Sequence, residues 1–216
     1  NTKIFMEHLT LIIPAKNEKE SLPNVLSELK KHNLKIIVVL EKEDLDTINS
    51  IKEHDCKILH QVNKGYGDAL TQGLRNVKTN FFCFFNADGS FNPNELKNMY
   101  DLAIKRNADF VFGSRYMSGG LSQDDTIITL IGNKIFTFIG KFFFSLPISD
   151  ILYTFVLGDT QKANNLQLKE KSFSFCVELP ILAKKSKHKL ISVPSHERAR
   201  IAGKKKVNEF KDGFLI

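Results

Sequence analysis

At 216 residues, with 42% hydrophobic and 25% charged positions, the chain carries enough apolar sequence for one buried core and too much for disorder, so a single domain over 1–216 is expected. Cys56, Cys83 and Cys176 show no C-x-x-C spacing and are odd in number, which argues against a zinc site and reads as reduced core thiols in a reducing compartment. The net charge of +7 is concentrated, because Lys184 to Asp212 holds ten Lys or Arg against three Asp or Glu. A segment of this kind suits phosphate on a soluble ligand, on an anionic membrane or on nucleic acid, and is equally compatible with a surface that is basic only for solubility.

In chain order, short apolar runs at Leu9 to Ile13, Ile36 to Leu40, Lys57 to Gln61, Phe81 to Phe85 and Phe110 to Gly113 predict buried strands. Helices are predicted between them. Leu22, Val25, Leu26 and Leu29 share a face after Ser21 as N-cap, with Pro23 in the first turn, and Leu96, Met99, Tyr100 and Ala103 repeat that spacing after Pro93. Alternating strands and helices imply a mainly parallel, Rossmann-like sheet flanked by helices, whose ligands bind beyond the carboxyl ends of the strands. The phenylalanine-rich stretch Thr126 to Leu146 breaks this rhythm. With Asn133 inside it and Lys134 and Lys141 a heptad apart on one face, it predicts an amphipathic helix lying in a membrane interface, although the same periodicity allows a helix packed on the sheet. Asn1 to His8 lacks the plan of a secretory signal, so the expected location is the cytoplasm.

Chemistry is sought at the predicted strand ends. The first strand runs into Pro14-Ala15-Lys16-Asn17-Glu18, the third into Asn63-Lys64-Gly65-Tyr66-Gly67-Asp68-Ala69-Leu70. There Lys64 offers a cation for phosphate and the glycines admit close approach of backbone to a ligand; without a full G-x-G-x-x-G, a nicotinamide dinucleotide site is poorly supported. After the fourth strand, Asn86, Asp88 and Ser90 alternate, an oxygen set suited to a hard cation such as Mg²⁺ or Mn²⁺, although Asp88-Gly89 also reads as a tight turn.

Together with Gly113-Ser114-Arg115-Tyr116, these segments resemble, in order, the inverting glycosyltransferases of family two, particularly dolichol-phosphate mannose synthases and bacterial polyprenyl-phosphate glycosyltransferases. The resemblance continues through Ser149-Asp150, Phe175 to Leu179, Val193-Pro194 and Arg200 to Lys206, and so spans nearly the whole chain. It implies a GT-A type fold, with a nucleotide-sugar half over 1–120 and an acceptor and membrane-facing half, amphipathic and basic, over 121–216. It further implies that Pro14, Ala15, Asn17 and Glu18 contact the base and ribose of a nucleoside diphosphate sugar, with Lys64 and Gly65 beside them. Asp88, with Asn86 and Ser90, would hold Mg²⁺ or Mn²⁺ at the donor diphosphate, and Arg115, Arg200 and Lys206 would meet phosphates. The chain also departs from the family's pattern. Asn86 stands where the first carboxylate of D-x-D is usual, and Leu40-Glu41-Lys42-Glu43 replaces an aspartate pair, leaving Glu41 as the base or ribose contact. Lys205 replaces a serine, and the amphipathic stretch has no arginine. The implied reaction is a single in-line displacement, with inversion, at the anomeric carbon. A polyprenyl phosphate acceptor needs no general base, whereas a glycan hydroxyl would need one, for which Asp150 is the candidate. The implied setting is the inner face of an anionic membrane, in cell-envelope glycan synthesis and without nucleic acid. A degenerate nucleotide-sugar binding module is the alternative outside enzymes; a nucleotidyltransferase would carry glycines after its first strand, and Pro14 to Glu18 has none.

Overall fold

A computed structural model describes residues 7–202. Gly203, Lys204, Lys205 and Lys206 lie outside the described residues. The strands β1 (Leu9–Pro14), β2 (Lys35–Leu40), β3 (Lys57–His60), β4 (Phe81–Phe84) and β5 (Phe110–Ser114) fall on the five apolar runs to within one residue at each end. They are joined by β6 (Leu121–Ser122), β7 (Val156–Asp159), β8 (Leu190–Pro194) and β9 (His196–Glu197). The helices are α1 (Leu22–Lys30), α2 (Leu45–Ser50), α3 (Tyr66–Arg75), α4 (Leu96–Arg106), α5 (Ile127–Phe144), α6 (Thr160–Asn165) and α7 (Phe175–Lys185).

Among the described residues, seven strands form one sheet in the order β3-β2-β1-β4-β7-β5-β8. All neighbours are parallel except β7, which runs antiparallel to β4 and β5. No sequence pattern announced β7, a four-residue strand with Gly158 inside it. A Cβ on Gly158 would lie 2.6 Å from the Phe110 ring and 2.9 Å from Phe82, so the glycine lets large side chains of both flanking strands close over it.

Alternation along β1 sends Leu9, Leu11 and Ile13 to one face, where they meet Leu22, Val25, Leu26 and Leu29 of α1 and Leu96, Met99 and Ala103 of α4. Ile12 goes to the other face, with Val39, Leu70, Phe82, Phe84 and Phe175. Each fully buried side chain of this size contributes about 1.5–3 kcal/mol, so the two-sided core fixes the sheet. Ser21 does precede α1, but its hydroxyl donates to Glu18 Oε2 at 2.6 Å rather than capping the helix.

Periodicity did not say which side of α5 faces the protein, and the structure turns the polar side inward. Its buried residues are Asn133, Thr137 and Gly140, whereas Ile127, Phe138, Phe142 and Phe143 are 77%, 66%, 70% and 69% exposed. The helix turns its polar stripe inward and its apolar side to solvent, with Lys134 and Lys141 also exposed. By length and composition alone, its 18 residues suffice to cross a membrane.

Candidate active site

β1 and β4 are parallel neighbours from which the chain departs in opposite directions across the sheet, so a crevice opens beyond their carboxyl ends. A cleft of about 770 Å³ occupies it. One set of lining residues, Pro14, Ala15, Glu18, Glu41 and Gly65, comes from the ends of β1 to β3. A second set is charged or polar, comprising Asn86, Asp88, Arg115, Asp124, Glu197 and Arg200. A third, Ile128, Ile131, Ile135 and Phe136, comes from α5.

Of the residues singled out from sequence, Asn17, Lys64 and Asp150 do not line the cleft. Asn17 adopts a left-handed conformation (φ 51°) and spends its N–H on Asp44 Oδ2 at 2.7 Å. Lys16, rather than Lys64, pairs with Glu41 at 2.8 Å, and that hydrogen bond, aided by the nearby Lys64 charge, lowers the Glu41 pKa. The glycines also have a different reason from the one expected. A Cβ on Gly65 (φ 126°) would lie 2.1 Å from the Lys171 carbonyl oxygen and one on Gly67 2.4 Å from that of Glu170, so the backbone they admit against α3 is the protein's own. Glu178 holds that strand of chain by accepting from the N–H groups of Lys169 (2.9 Å) and Glu170 (3.0 Å).

Beyond β4, the Asp88 carboxylate accepts from the Ser90 N–H at 3.0 Å through Oδ1 and faces Arg200 Nη1 at 3.8 Å through Oδ2. Asn86 donates its amide N–H to Ser90 Oγ at 3.1 Å. Ser90 is 1% exposed, and its hydroxyl supports Asn86 at the edge of the cleft. Among the described residues no cluster of three His, Cys, Asp or Glu could enclose a metal. One carboxylate oxygen of Asp88 and the amide oxygen of Asn86 nevertheless fit a divalent ion that takes its remaining ligands from phosphate and water.

The chain past β5 builds the most buried charges of the site. Asp150, 0% exposed, accepts four hydrogen bonds: from Arg115 N–H (3.0 Å), Nε (2.8 Å) and Nη2 (3.0 Å), and from Asn133 Nδ2. Its lone pairs are therefore committed, and Asp150 anchors Arg115 from outside the cleft. Arg115 Nη1 reaches Glu197 at 3.3 Å, and its guanidinium stacks over the Tyr153 ring at 4.7 Å. Burial opposes the Arg115 charge, but Asp150 and then Glu197 outweigh it and hold the pKa above the ordinary arginine value. Burial also raises the Glu197 pKa, with Arg115 and Ser122 offsetting it only in part.

Sequence reasoning missed Glu197, Asp124 and Asn133. The first two are brought together by the pairing of β6 with β9, Ser122 opposite Glu197, which aligns segments more than seventy residues apart and leaves no local signal. Asn133 did leave one, as the start of a polar stripe with Thr137 and Gly140 through an otherwise apolar helix.

Residues 10–166 match the sequence model of Glycosyl transferase family 2. The chain belongs to that family. Among its relatives, this family 2 glycosyltransferase is 27% identical to the UDP-N-acetylglucosamine--dolichyl-phosphate N-acetylglucosaminyltransferase of Methanococcus voltae, over 85% of this chain and 83% of that one. It is 25% identical to the dolichol-phosphate mannosyltransferase of Pyrococcus furiosus, over 92% of this chain but 59% of that longer protein. Glucosyl-3-phosphoglycerate synthase of Mycobacterium tuberculosis, crystallised with Mn²⁺, UDP and glucosyl-3-phosphoglycerate, superposes with a TM-score of 0.71 at 14% identity, covering 94% of this chain and 77% of that one. Mannosyl-3-phosphoglycerate synthase of Rubrobacter xylanophilus gives 0.66 at 14% identity, covering 95% and 70%. The fold is that of the GT-A glycosyltransferases.

Proposed function

We propose that this enzyme transfers a sugar from a nucleoside diphosphate sugar to a polyprenyl phosphate, with inversion, while seated peripherally on an anionic membrane at its cytoplasmic face. The observation that carries this reading is the composition of the cleft. One cavity is lined both by a charged set around Asp88 and by isoleucines of α5, and Ile128, Ile131 and Ile135 of that set are also exposed on the outside of the domain. A donor diphosphate and a lipid acceptor thus have adjoining surfaces in one cleft.

The barrier to reaction lies in the negative charge that develops on the departing nucleoside diphosphate. Asp88 and Asn86 would hold a divalent ion, Mg²⁺ or Mn²⁺, which when bound supplies Lewis-acid stabilisation of that charge. Arg200, beside Asp88, contributes a fixed cation to the same region. Pro14, Ala15, Glu18 and Glu41 surround the place for base and ribose. Arg115, its side chain locked by Asp150, presents a partly neutralised guanidinium to the acceptor side. An acceptor phosphate is already an anion and attacks without a base. The commitment of Asp150 and Glu197 to Arg115 supports that acceptor over a glycan hydroxyl, which would require a free one.

The test is transfer of radiolabelled sugar from UDP- and GDP-sugars, with Mn²⁺ or Mg²⁺, into vesicles doped with a polyprenyl phosphate. Label in the lipid fraction, lost in Asp88→Ala, is expected. Label appearing only on added glycans, or donor binding with no transfer to any acceptor, would overturn the proposal.

A further inference from the structure

The segment that carries Arg200 is laced to the turn after β4. Arg198 donates its backbone N–H to the Ser90 carbonyl at 2.8 Å and its guanidinium N–H groups to the carbonyls of Gly89 (3.1 Å) and Phe91 (2.7 Å), while two of those groups fork onto Glu28 at 2.9 and 3.0 Å. Ile201 N–H reaches the Asp88 carbonyl at 2.8 Å. Gly89 (φ 84°) allows this, since a Cβ there would lie 2.5 Å from Ile201 Cδ1. Arg200 is therefore held between two anchored neighbours. Its Nε and Nη2 bind Asp124 at 3.2 and 2.6 Å, and its Nη1 stands 3.8 Å from Asp88 Oδ2.

That oxygen is the more available to a divalent ion, because Oδ1 already accepts from the Ser90 N–H. Asp124 offsets part of the guanidinium charge, but Nη1 is the end turned to Asp88 and competes with a cation for Oδ2, and Asn86 supplies no second carboxylate beside Asp88. A nucleoside diphosphate changes the balance by bringing enough negative charge for both the ion and the guanidinium.

We infer that Arg200 makes the Asp88 cation site conditional on nucleotide: without nucleotide Arg200, braced on Asp124, turns Nη1 to Asp88 and disfavours free divalent metal there, and metal and nucleoside diphosphate bind as a cooperative pair. The inference rests on the donor-site reading above. By linkage, the nucleotide strengthens metal binding by the same factor as the metal strengthens nucleotide binding.

The experiment is titration of the purified chain with Mn²⁺, following free Mn²⁺ by electron paramagnetic resonance, alone and with saturating UDP or GDP. Wild type is expected to bind Mn²⁺ alone weakly and at least about tenfold more tightly with one of the nucleotides, a coupling of about 1.4 kcal/mol or more. Arg200→Gln is expected to bind Mn²⁺ alone at least about fivefold more tightly than wild type, and Arg200→Lys, which keeps the charge, to stay within about twofold of it. Asp88→Asn should lose the binding in every case. Arg200→Gln binding Mn²⁺ alone no better than wild type overturns the inference, as does Arg200→Lys matching Arg200→Gln. If neither nucleotide binds, the donor reading fails, while the comparison in Mn²⁺ alone still decides the part played by Arg200.

Discussion

Replacing Asp150 by Asn removes the carboxylate that Arg115 grips through its backbone N–H, Nε and Nη2, and leaves a guanidinium 7% exposed with Glu197 at 3.3 Å and Asp125 at 3.8 Å as its remaining carboxylate partners. Breaking one partner from a buried pair costs about 3–5 kcal/mol, so Asp150→Asn should lower the urea-unfolding free energy by that order, which a residue acting only as a base would not do. Glu197 gives a pH signature. Its folded pKa is raised above the 4.5 of a free glutamate, so the stability this group contributes is fully present below about that pH and declines as pH rises through the folded value. Melting temperatures between pH 4 and 8 should therefore fall more steeply for wild type than for Glu197→Gln; parallel curves would show that Glu197 titrates normally. Asp88, Asn86 and Arg115 were legible as residues of interest, because each ends an apolar run. Glu197, which reaches Arg115, and Asn133 and Asp124, which reach Asp150 and Arg200, were not, since they come from distant parts of the chain.

At the scale of the element, α5 leaves apolar side chains on its exposed face, and the proposed membrane seat is tested there. Phe138 and Phe142 stack at 6.0 Å between ring centroids on the exposed face, and Lys134 and Lys141 lie exposed on the same helix. Burying a phenylalanine stabilises by about 1.5–3 kcal/mol, so Phe138→Ser with Phe142→Ser should reduce partition to vesicles by roughly tenfold or more in co-sedimentation. Lys134→Gln should reduce it by about fivefold, and only when anionic lipid is present, at about 1 kcal/mol per lysine near a charged surface. The inner stripe separates from this behaviour. Asn133→Leu withdraws a donor from Asp150 and should cost about 1–3 kcal/mol of folding stability while leaving vesicle partition unchanged. The period of the apolar residues identified α5 as a helix with two unlike faces, but periodicity carries no sign for which face is inside.

For the whole molecule, donor binding should be visible without chemistry. A nucleotide present at 100 times its Kd stabilises by about 2.7 kcal/mol, and each kcal/mol raises the melting temperature of a chain this size by about 2–4 °C, so thermal shift with UDP and GDP, with and without Mn²⁺, reads out the cleft directly. The same cleft draws on both ends of the chain, from Pro14 to Arg200, and so its integrity reports the sheet's order rather than any one segment.

By itself, the sequence determined the five strands β1 to β5, the helices α1 and α4 and the strand ends where Glu18, Asp88 and Arg115 sit, because strand and helix periods and their breaks are local properties of the chain. Tertiary structure decided the rest. It inserted β7 antiparallel between β4 and β5, and it paired β6 with β9 so that Asp124 meets Arg200 and Glu197 meets Arg115. It also turned the polar stripe of α5 inward. The buried Asp150 and Arg115 need every donor and acceptor they can reach, and satisfying desolvated charges outweighs the cost of leaving isoleucines and phenylalanines on the surface.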